Sequence, residues 1–553
     1  MTLEGVTVGV VGETVQRIMG EEWDFIVIGG GSAGCVLASR LSENPEVRVL
    51  LLDAGRHDRH LYTRIPAGQM QAFPRRDMNW LFMSEPDPSR ADRRDIWPAG
   101  KIIGGGSAIN GMMFVRGHST DYDKWADLGN EGWSYTEVLP YFKRSETSEV
   151  GDDNVRGKNG PQRVSKVRIS HPLTDVFIEG AQEVGIPFNK DLNGVSQEGV
   201  GYCQASQYKG RRFSTAAGYL RGLSRSNLRV ELDATVTKII LEQGQASGVI
   251  YKQRGREHEV RSKKGVVLSA GAMVSPKLLM LSGVGDQEQL EAADIACQIP
   301  LPGVGKNLQE HPVARMSFHV KNARTLTSDL NNPIRSLLHG LDYIFRGRGA
   351  LATCIGHAQA LVRTREGLEA PNAQIIFAPL SYELTDNGPA PYRKPAVGVG
   401  VGLCRTQARG QIGLRSKNPE DTPVITLDLL KHQDDVAQLR EAMRLTREIF
   451  TSKAFSPFYK DERVPGLDCR TDEQLDRYIR EQSGLMYHAC GTCKMGTDEA
   501  AVVDPRLRVH GVRKLWVADA SIFPTVPAGN INASCIMVAE KAADMILEDG
   551  LSQ

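Results

Sequence analysis

The sequence predicts an α/β protein whose first domain has a parallel sheet covered by helices and whose second domain is α+β with an antiparallel sheet. Three observations lead to this prediction. A buried strand, a glycine-rich turn and an amphipathic helix follow one another near the start of the chain. A second glycine-rich segment occupies residues 100–110, and strand-like patterns return after residue 227 and near residue 515. At 553 residues, the chain is also too long for one ordinary hydrophobic core, so more than one domain is expected.

The first of these features is a strand, a turn, a helix and a second strand in succession. Trp23–Ile28 has the continuous apolar character of a buried strand, and Cys35–Leu41 has the apolar spacing of a helix. Val47–Leu52 is a second apolar run, and it ends at Asp53. Together these elements predict the βαβ unit of a Rossmann-like domain.

The turn in this unit has the GxGxxG spacing of a dinucleotide site. The first glycine permits the tight turn, the second brings the backbone near a pyrophosphate, and the third lets helix and strand pack closely. The helix N-terminus attracts the phosphates, and the acidic residue after the second strand accepts hydrogen bonds from the adenosine ribose. The residues predicted to contact the dinucleotide are Gly29, Gly31, Ser32, Ala33, Gly34, Asp53 and Ala54. This motif alone does not distinguish FAD from NAD, because both contain the same ADP portion.

The second glycine-rich segment, residues 100–110, ends with a small hydroxyl and an amide. Such a loop can lie against a flat ring system and hydrogen-bond its edge. The alternative is a mobile surface loop, but Ile102, Ile103 and Ile109 would then be poorly placed in water.

The later part of the chain alternates between the two domains. Short strands are predicted at residues 228–232, 248–251 and 265–268, whereas residues 313–483 mix strands with a helix at Asp434–Phe450. The last 70 residues again have the pattern of the first part of the chain, with a buried strand at Leu515–Ala518 and a long helix from about Ile531 to Leu547. We therefore expect a discontinuous cofactor domain. The predicted division is an N-terminal extension at 1–22, a cofactor domain at 23–165, 225–312 and 484–553, and a substrate domain at 166–224 and 313–483.

Composition limits the classes of partner. Lys and Arg total 67 and Asp and Glu total 66, so the net charge of +1 provides no general attraction for nucleic acid. Nine scattered cysteines favour free thiols in a reducing compartment, which predicts a cytoplasmic protein. No apolar run approaches the roughly 18 residues that cross a bilayer, so any membrane attachment is expected to be peripheral.

Five motifs in order give the chain a specific resemblance. They occupy residues 100–123, 271–285, 303–311, 488–496 and 529–532. With them, the sequence resembles the glucose-methanol-choline (GMC) oxidoreductase family from about Asp24 to Leu547. The resemblance implies FAD rather than NAD, and an activity in which a hydride leaves the carbinol carbon of an alcohol.

The resemblance also implies positions for the cofactor. It places Gly105, Ser107 and Asn110 beside the flavin and the backbone of Val236 beside the adenine. It places Asp519, Asn530, Ile531 and Asn532 around the ribityl chain and the ring. Some family members bind FAD covalently through a histidine where this chain has Ile109, so non-covalent FAD is expected.

His488 is the predicted catalytic base, because alcohol oxidation requires removal of the hydroxyl proton and the family places a histidine there. Asn530 is its predicted partner, an amide that can donate to the substrate oxygen without titrating; Asn532 is the alternative. Cys490 and Cys493 form a CxxC, which is interpreted as structural since no second CxxC completes a metal site. No metal is expected.

The substrate is predicted to be an uncharged primary alcohol. Choline-oxidising relatives offer a glutamate to the quaternary ammonium, and a tentative alignment places His357 at that position. The alternative is that His357 is a buried, hydrogen-bonded residue outside the substrate pocket. The expected electron acceptor is a quinone-type compound or oxygen, with a dehydrogenase favoured. Two alternatives remain: a lyase of the same family that cleaves cyanohydrins without redox chemistry, and a scaffold that binds FAD without catalysis.

Overall fold

The structure of the protein, a computed structural model, describes residues 16–17, 22–385 and 388–551. The predicted N-terminal extension therefore lies outside the described residues, except for Gln16–Arg17 and Glu22. Two large β-sheets organise the described part of the chain.

The first sheet contains eight strands, and its centre is parallel. Six of them lie side by side in the order Leu228–Glu231, Val49–Leu52, Trp23–Ile28, Arg256–Leu268, Gln245–Gln253 and Ala234–Glu242. Gln16–Arg17 and Leu515–Val517 also pair with Arg256–Leu268, both in parallel. The strands between residues 234 and 268 form an antiparallel meander that extends the parallel core.

The long strand Arg256–Leu268 joins the two parts of this sheet. Its C-terminal half pairs in parallel with Trp23–Ile28 on one side and with Leu515–Val517 on the other. A strand from near residue 25 and a strand from near residue 515 therefore pair with the same strand from the middle of the chain. The sequence analysis predicted that the segment near residue 515 resembles the first part of the chain.

Two helices from opposite ends of the chain pack together beside this sheet. They are Ser32–Leu41 and Asn532–Leu551, and Tyr135–Ser145 packs against the second of them. Glu540 is buried among them and accepts hydrogen bonds from Arg40 Nε at 2.9 Å, Arg144 Nε at 2.6 Å and the Tyr219 hydroxyl at 2.7 Å. Because a buried carboxylate needs such partners, these contacts offset the cost of burying Glu540. They also join the C-terminal helix to three other elements.

The second sheet contains seven strands, and every pairing in it is antiparallel. Its order is Tyr459–Val464, Pro312–Val320, Ala396–Leu403, Ala373–Ala378, Ala358–Val362 and Gly199–Tyr202, with Gly484–Leu485 also on Pro312–Val320. Helices Pro172–Glu183 and Gln433–Thr451 pack against it, and Asp472–Gln482 packs on the latter. The α/β fold with an added antiparallel sheet is thus confirmed.

The other elements lie along the chain between the strands and helices already described. The remaining α-helices are Leu61–Arg64, Gln69–Ala72, Gly106–Ile109, Ser119–Asp127, Ser275–Leu281, Gln287–Ala292, Leu326–Leu330 and Pro333–Arg346. Short helical turns of other types span Pro66–Gly68, Pro88–Arg90, Ala216–Leu220, Ala350–Ala352 and Ala520–Ile522. The short strands are Phe82–Met83, Ile96–Trp97, Glu146–Ser148, Gln162–Lys166, Gln204–Ala205, Gln207–Tyr208, Arg211–Arg212, Val284–Gly285, Ile299–Pro300, Tyr382–Thr385, Gly388–Pro391, Gln411–Gly413 and Val424–Thr426.

The predicted elements are present, with shifted ends. The first helix starts at Ser32 rather than Cys35, and the strand predicted at 265–268 begins at Arg256. The early half of that strand is rich in charge because it is only partly buried, so its pattern differs from that of a core strand. The domain boundaries stay a prediction; Gly484–Leu485, assigned to the cofactor domain, pairs with the second sheet.

Candidate active site

The glycine-rich turn after Trp23–Ile28 is too crowded for side chains at two positions. A Cβ on Gly34 would lie 1.8 Å from the Gly29 carbonyl oxygen, and one on Gly29, where φ is +94°, would lie 2.6 Å from the Ser269 carbonyl oxygen. At Gly31, by contrast, the nearest atom would be 4.0 Å away, so a ligand can approach there. Gly31 also precedes the helix without any side-chain cap, so no side chain at this position competes with an anion for the N–H groups of the first turn.

Asp53 holds the same turn from the neighbouring strand. Its carboxylate accepts the Gly30 N–H and the Gly55 N–H, each at 2.7 Å. Burial raises the pKa of Asp53, whereas these two backbone hydrogen bonds act in the opposite direction. The carbonyl of Asp53 accepts the Ala234 N–H at 2.9 Å, which brings the strand of Val236 alongside. Each carboxylate oxygen keeps a lone pair, so Asp53 can still accept from a ribose hydroxyl.

The second glycine-rich segment packs directly on the first. Gly104 donates its N–H to the Gly30 carbonyl at 2.7 Å, and a Cβ on Gly105 would lie 2.7 Å from the Gly31 Cα. The Ser107 hydroxyl is engaged within the protein, because it donates to the Gly104 carbonyl at 2.6 Å and accepts the Thr215 N–H at 3.0 Å. The two segments predicted to bind one cofactor are therefore in contact.

A buried arginine that the sequence analysis missed lies beside this segment. Arg212 Nη1 donates to the Asn110 side-chain oxygen at 2.8 Å, which also accepts the Met112 N–H at 3.0 Å. Burial lowers the pKa of Arg212 to about 9. Within the described part of the chain, its Nε and Nη2 have no hydrogen-bond partner. Buried N–H donors of this kind are normally satisfied, and an oxygen-rich cofactor would satisfy them.

The N-terminus of the C-terminal helix meets that of the first helix. Asn532 Nδ2 donates to the Ser32 hydroxyl at 2.7 Å, and Ile531 lies just before Asn532. Both helix ends thus direct their positive dipole ends to one region, which favours negative charge there. The carboxylate of Asp519 accepts the Gly271 N–H at 2.8 Å and the Ser275 hydroxyl at 2.6 Å. Asp519 thereby ties the segment before the C-terminal helix to the motif at 271–285.

His488 lies between Asn530 and a second histidine. Its Nε2 is 3.1 Å from Asn530 Nδ2, and its Nδ1 is 2.9 Å from His311 Nδ1. Gln374 Nε2 donates to the Asn530 side-chain oxygen at 3.3 Å. The structure therefore brings together the two residues predicted as the catalytic pair and adds His311 behind them. His311 and Glu310 fall in the motif at 303–311, but no local pattern indicated their roles, and Gln374 lies in no motif.

The hydrogen bonds around this pair fix where the protons lie. Gln374 donates to the Asn530 oxygen, so the amide of Asn530 turns its N–H groups towards His488 Nε2, which must accept. Neutral His488 therefore carries its proton on Nδ1 and donates it to His311 Nδ1. As a result, His488 presents an unprotonated Nε2 on the side of Asn530, as a base must.

Burial keeps both histidines neutral. It lowers the pKa of His488 well below the usual range, with a further contribution from His311, and it lowers the pKa of His311 to about 4. Glu310, also buried, accepts the backbone N–H of His488 at 2.7 Å and that of His311 at 2.8 Å. Burial raises the pKa of Glu310 to about 8. Its carboxyl thus anchors the backbone of both histidines rather than a side chain.

His357 lies two positions before Gln359, an amide that hydrogen-bonds Gln374. It precedes the strand Ala358–Val362, in which Gln359 accepts from Gln374 Nε2 at 2.7 Å. Its own Nε2 is 2.6 Å from the Thr353 hydroxyl, and burial lowers its pKa to about 3. Among the described residues, no carboxylate hydrogen-bonds the side chains of His488, Asn530, Gln374 or His357.

The CxxC pair lies close to His488 in sequence. Cys490 and Cys493 are buried free thiols, and burial raises the pKa of each well above its usual range. In the parts of the chain that the structure describes, no group of three or more His, Cys, Asp or Glu side chains is placed to hold a metal ion.

Family models and curated relatives match this chain over most of its length. Residues 23–313 and 406–539 match two family models, both described as GMC oxidoreductase. The chain is 41% identical over 545 residues to the mitochondrial choline dehydrogenase of Mus musculus, covering 96% of this chain and 90% of that protein. It is also 41% identical to the oxygen-dependent choline dehydrogenase of Sinorhizobium medicae, covering 95% of each.

Solved structures share the fold over nearly the whole chain. Pyridoxine 4-oxidase from Mesorbium loti superposes with a TM-score of 0.85 at 29% identity, covering 95% of this chain and 99% of that one. A formate oxidase superposes with a TM-score of 0.90 at 24% identity, covering 96% and 98%. The second likeness concerns the fold alone.

Proposed function

This chain belongs to the GMC oxidoreductase family, and from that premise we propose that it oxidises an uncharged primary alcohol to the aldehyde and passes the electrons to a quinone-type acceptor or to oxygen. Its cofactor is FAD, and its donors carry a CH–OH group. The observation that carries the proposal is the buried His488–Asn530 pair with an unprotonated Nε2 between its members.

The residues present fit FAD. Open space at Gly31 leaves room for the phosphates beside the uncapped N-terminus of the first helix and the adjacent N-terminus of the C-terminal helix. The unpartnered N–H groups of Arg212 can donate to oxygen atoms of the cofactor. Asp53 would bind the adenosine ribose, the backbone of Val236 would lie beside the adenine, and Gly105, Ser107 and Asn110 would surround the flavin. When bound, FAD accepts the hydride of the alcohol carbon.

The protein's own residues handle the hydroxyl group. An alcohol oxygen placed between His488 and Asn530 donates its proton to His488 Nε2 and accepts a hydrogen bond from Asn530 Nδ2. The proton remains on His488, whose Nδ1–H donates to His311. Both contacts favour the alkoxide-like state from which a hydride leaves most readily, so they lower the barrier rather than only binding the alcohol.

The neutral surroundings of the pair support an uncharged substrate. His357 is neutral, and the side chains of Gln374 and Gln359, which form a hydrogen-bonded row with Asn530, are uncharged amides. A quaternary ammonium would ordinarily require a carboxylate or an aromatic cage for recognition. Glu310 is not available for this role, since its oxygens accept backbone N–H groups beneath the histidines. The relatives named as choline dehydrogenases make choline the compound against which the proposal must be tested.

Anaerobic stopped-flow mixing of the oxidised holoenzyme with benzyl alcohol, 1-octanol and choline tests the substrate class. We expect the flavin absorbance to bleach with at least one neutral alcohol and to remain with choline at the same concentration. Bleaching by choline alone would overturn the uncharged substrate. Turnover of a cyanohydrin without bleaching would instead support the lyase. Mixing the bleached enzyme with air or with a soluble quinone then identifies the acceptor.

FAD should be held without a covalent bond. Ile109, a buried aliphatic side chain, offers no nucleophile at the position where some relatives attach the flavin. Precipitation of the holoenzyme with acid should therefore release yellow FAD into the supernatant. Colour that stays with the washed precipitate would contradict this expectation.

A further inference from the structure

The helix Pro333–Arg346 exposes an unbroken apolar face. Its outward side chains are between 40% and 80% exposed, and no residue of the helix is buried. These side chains are Ile334, Leu337, Leu338, Leu341, Ile344 and Phe345. Their spacing of three and four residues places them on one side over 14 residues, a length of roughly 20 Å. Apolar patches of this extent on a protein surface mark a contact with something other than water.

Polar side chains attach this helix to the protein. Asp329 accepts from Arg335 Nη1 at 3.2 Å and lies 3.3 Å from His339 Nε2. His339 Nδ1 also accepts the Ala350 N–H at 3.4 Å. An ordinary surface helix packs its apolar side on the core and turns its polar side to water. Here the orientation is reversed, so packing within this chain does not account for the apolar face.

Exposed cations lie at the C-terminal end of the helix. Arg346 and Arg348 are exposed, and the backbone of Gly347 touches a hairpin that carries exposed Lys209 and Arg211. The carboxylate nearest to them in this helix, Asp342, is paired with Arg346. An apolar face next to such a group of cations matches a bilayer surface that contains anionic lipids.

We propose that the helix Pro333–Arg346 inserts its apolar face into the headgroup region of an anionic lipid bilayer, while the adjacent cations bind lipid phosphates. Binding would be peripheral, because among the described residues no helix is both long and apolar enough to span a membrane. A second copy of the chain fits less well, because it would cover the apolar face without giving the exposed Arg348, Lys209 and Arg211 beside it an anionic partner of the kind a lipid phosphate provides.

This attachment would bring the site close to lipid. The segment that follows the helix leads to His357, and Ile355 in it is half exposed and donates its N–H to the Gly111 carbonyl at 3.3 Å, next to Asn110. Apolar alcohols and quinones dissolve in bilayers. This consequence rests on the proposed function, whereas lipid binding itself does not.

Flotation of the holoenzyme with vesicles tests the proposal. One set contains phosphatidylcholine with phosphatidylglycerol, and the other contains phosphatidylcholine alone. The protein should float with the anionic vesicles and much less with the neutral ones. The triple variant Ile334→Ser/Leu337→Ser/Leu341→Ser should bind on the order of 10-fold to 100-fold more weakly. Arg346→Gln/Arg348→Gln should reduce the preference for anionic vesicles.

Val195→Ser is the matched control, because Val195 is the most exposed large apolar side chain among the described residues and lies outside this helix. It should float like the parent protein. Thermal melting and dye-linked alcohol oxidation in solution should be unchanged in every variant, which separates lipid binding from folding and from the proposed function. Failure of the parent to bind anionic vesicles would overturn the proposal. A triple variant that binds anionic vesicles as tightly as the parent would also overturn it. So would a triple variant whose only change is from dimer to monomer in analytical ultracentrifugation.

Discussion

His488→Ala is expected to lower the rate of anaerobic flavin reduction by alcohol roughly 1,000-fold to 10,000-fold while FAD remains bound. The variant removes the Nε2 that accepts the hydroxyl proton. The glycine-rich turn, Asp53 and the two helix N-termini are untouched, so the cofactor should be retained. Stopped-flow absorbance measures the rate, and the flavin-to-protein absorbance ratio measures retention.

Two further variants distinguish the loss of a base from a general disturbance of the structure. His488→Asn keeps a polar side chain beside His311 but has no base, so it should be nearly as slow as the alanine variant. His510→Ala, a histidine away from the site, should be fully active. Flavin reduction at near the parent rate in His488→Ala would refute the assignment.

The pH dependence of the parent enzyme gives a further check on the same assignment. A base works in its unprotonated form, and burial lowers the pKa of His488 well below 6.5. The value of kcat/KM should therefore be constant through neutral pH and fall only as pH drops through that lowered pKa. A rise across pH 6 to 7 that follows an ordinary histidine would contradict the buried, neutral state.

His311→Leu should lower kcat about 100-fold with little change in KM. His311 accepts the Nδ1–H of His488. Without it, His488 can also adopt the tautomer protonated on Nε2, which cannot act as the base, and the protonated His488 ring loses its hydrogen-bond acceptor. The substrate oxygen meets the other nitrogen of His488, which explains why binding should change little. His311→Gln, whose side-chain oxygen can accept the same proton, should recover part of the rate.

The measurements for this prediction are steady-state kinetics and thermal melting of both variants. A role limited to packing would make the glutamine variant as slow as the leucine variant, or would lower stability and activity together. Parental kcat in His311→Leu would show that His488 needs no partner at Nδ1.

The part of the fold predicted from sequence is the part that depends on local pattern. Gly29, Gly31 and Gly34 lie within one turn, and the strands on either side are continuous apolar runs. The extent of Arg256–Leu268 could not be predicted, because its first half belongs to a partly exposed hairpin with charged side chains. The periodicity of apolar residues reflects which side chains are buried, so it does not predict the part of a strand that extends out of the core.

The candidate site shows the same limit. His488 and Asn530 were found through motifs, but the contact between His488 and His311 joins residues 177 positions apart. Nothing in either segment indicates that its histidine turns towards the other. Gln374 and Arg212 act through burial and through hydrogen bonds that only the folded chain creates. Such roles follow from tertiary structure and not from the spacing of residues.

The strand Arg256–Leu268, held between Trp23–Ile28 and Leu515–Val517, also determines when the cofactor site can form during synthesis. The ribosome releases residues 515–551 after Trp23–Ile28 and Arg256–Leu268, yet they supply Asn530, the helix that meets Ser32 and a strand that pairs with Arg256–Leu268. Contacts between such distant segments are slow to form, and the partly made chain leaves sheet edges unpaired. A nascent chain that ends before residue 515 would therefore lack a complete FAD site and would depend on chaperones until residues 515–551 have been released.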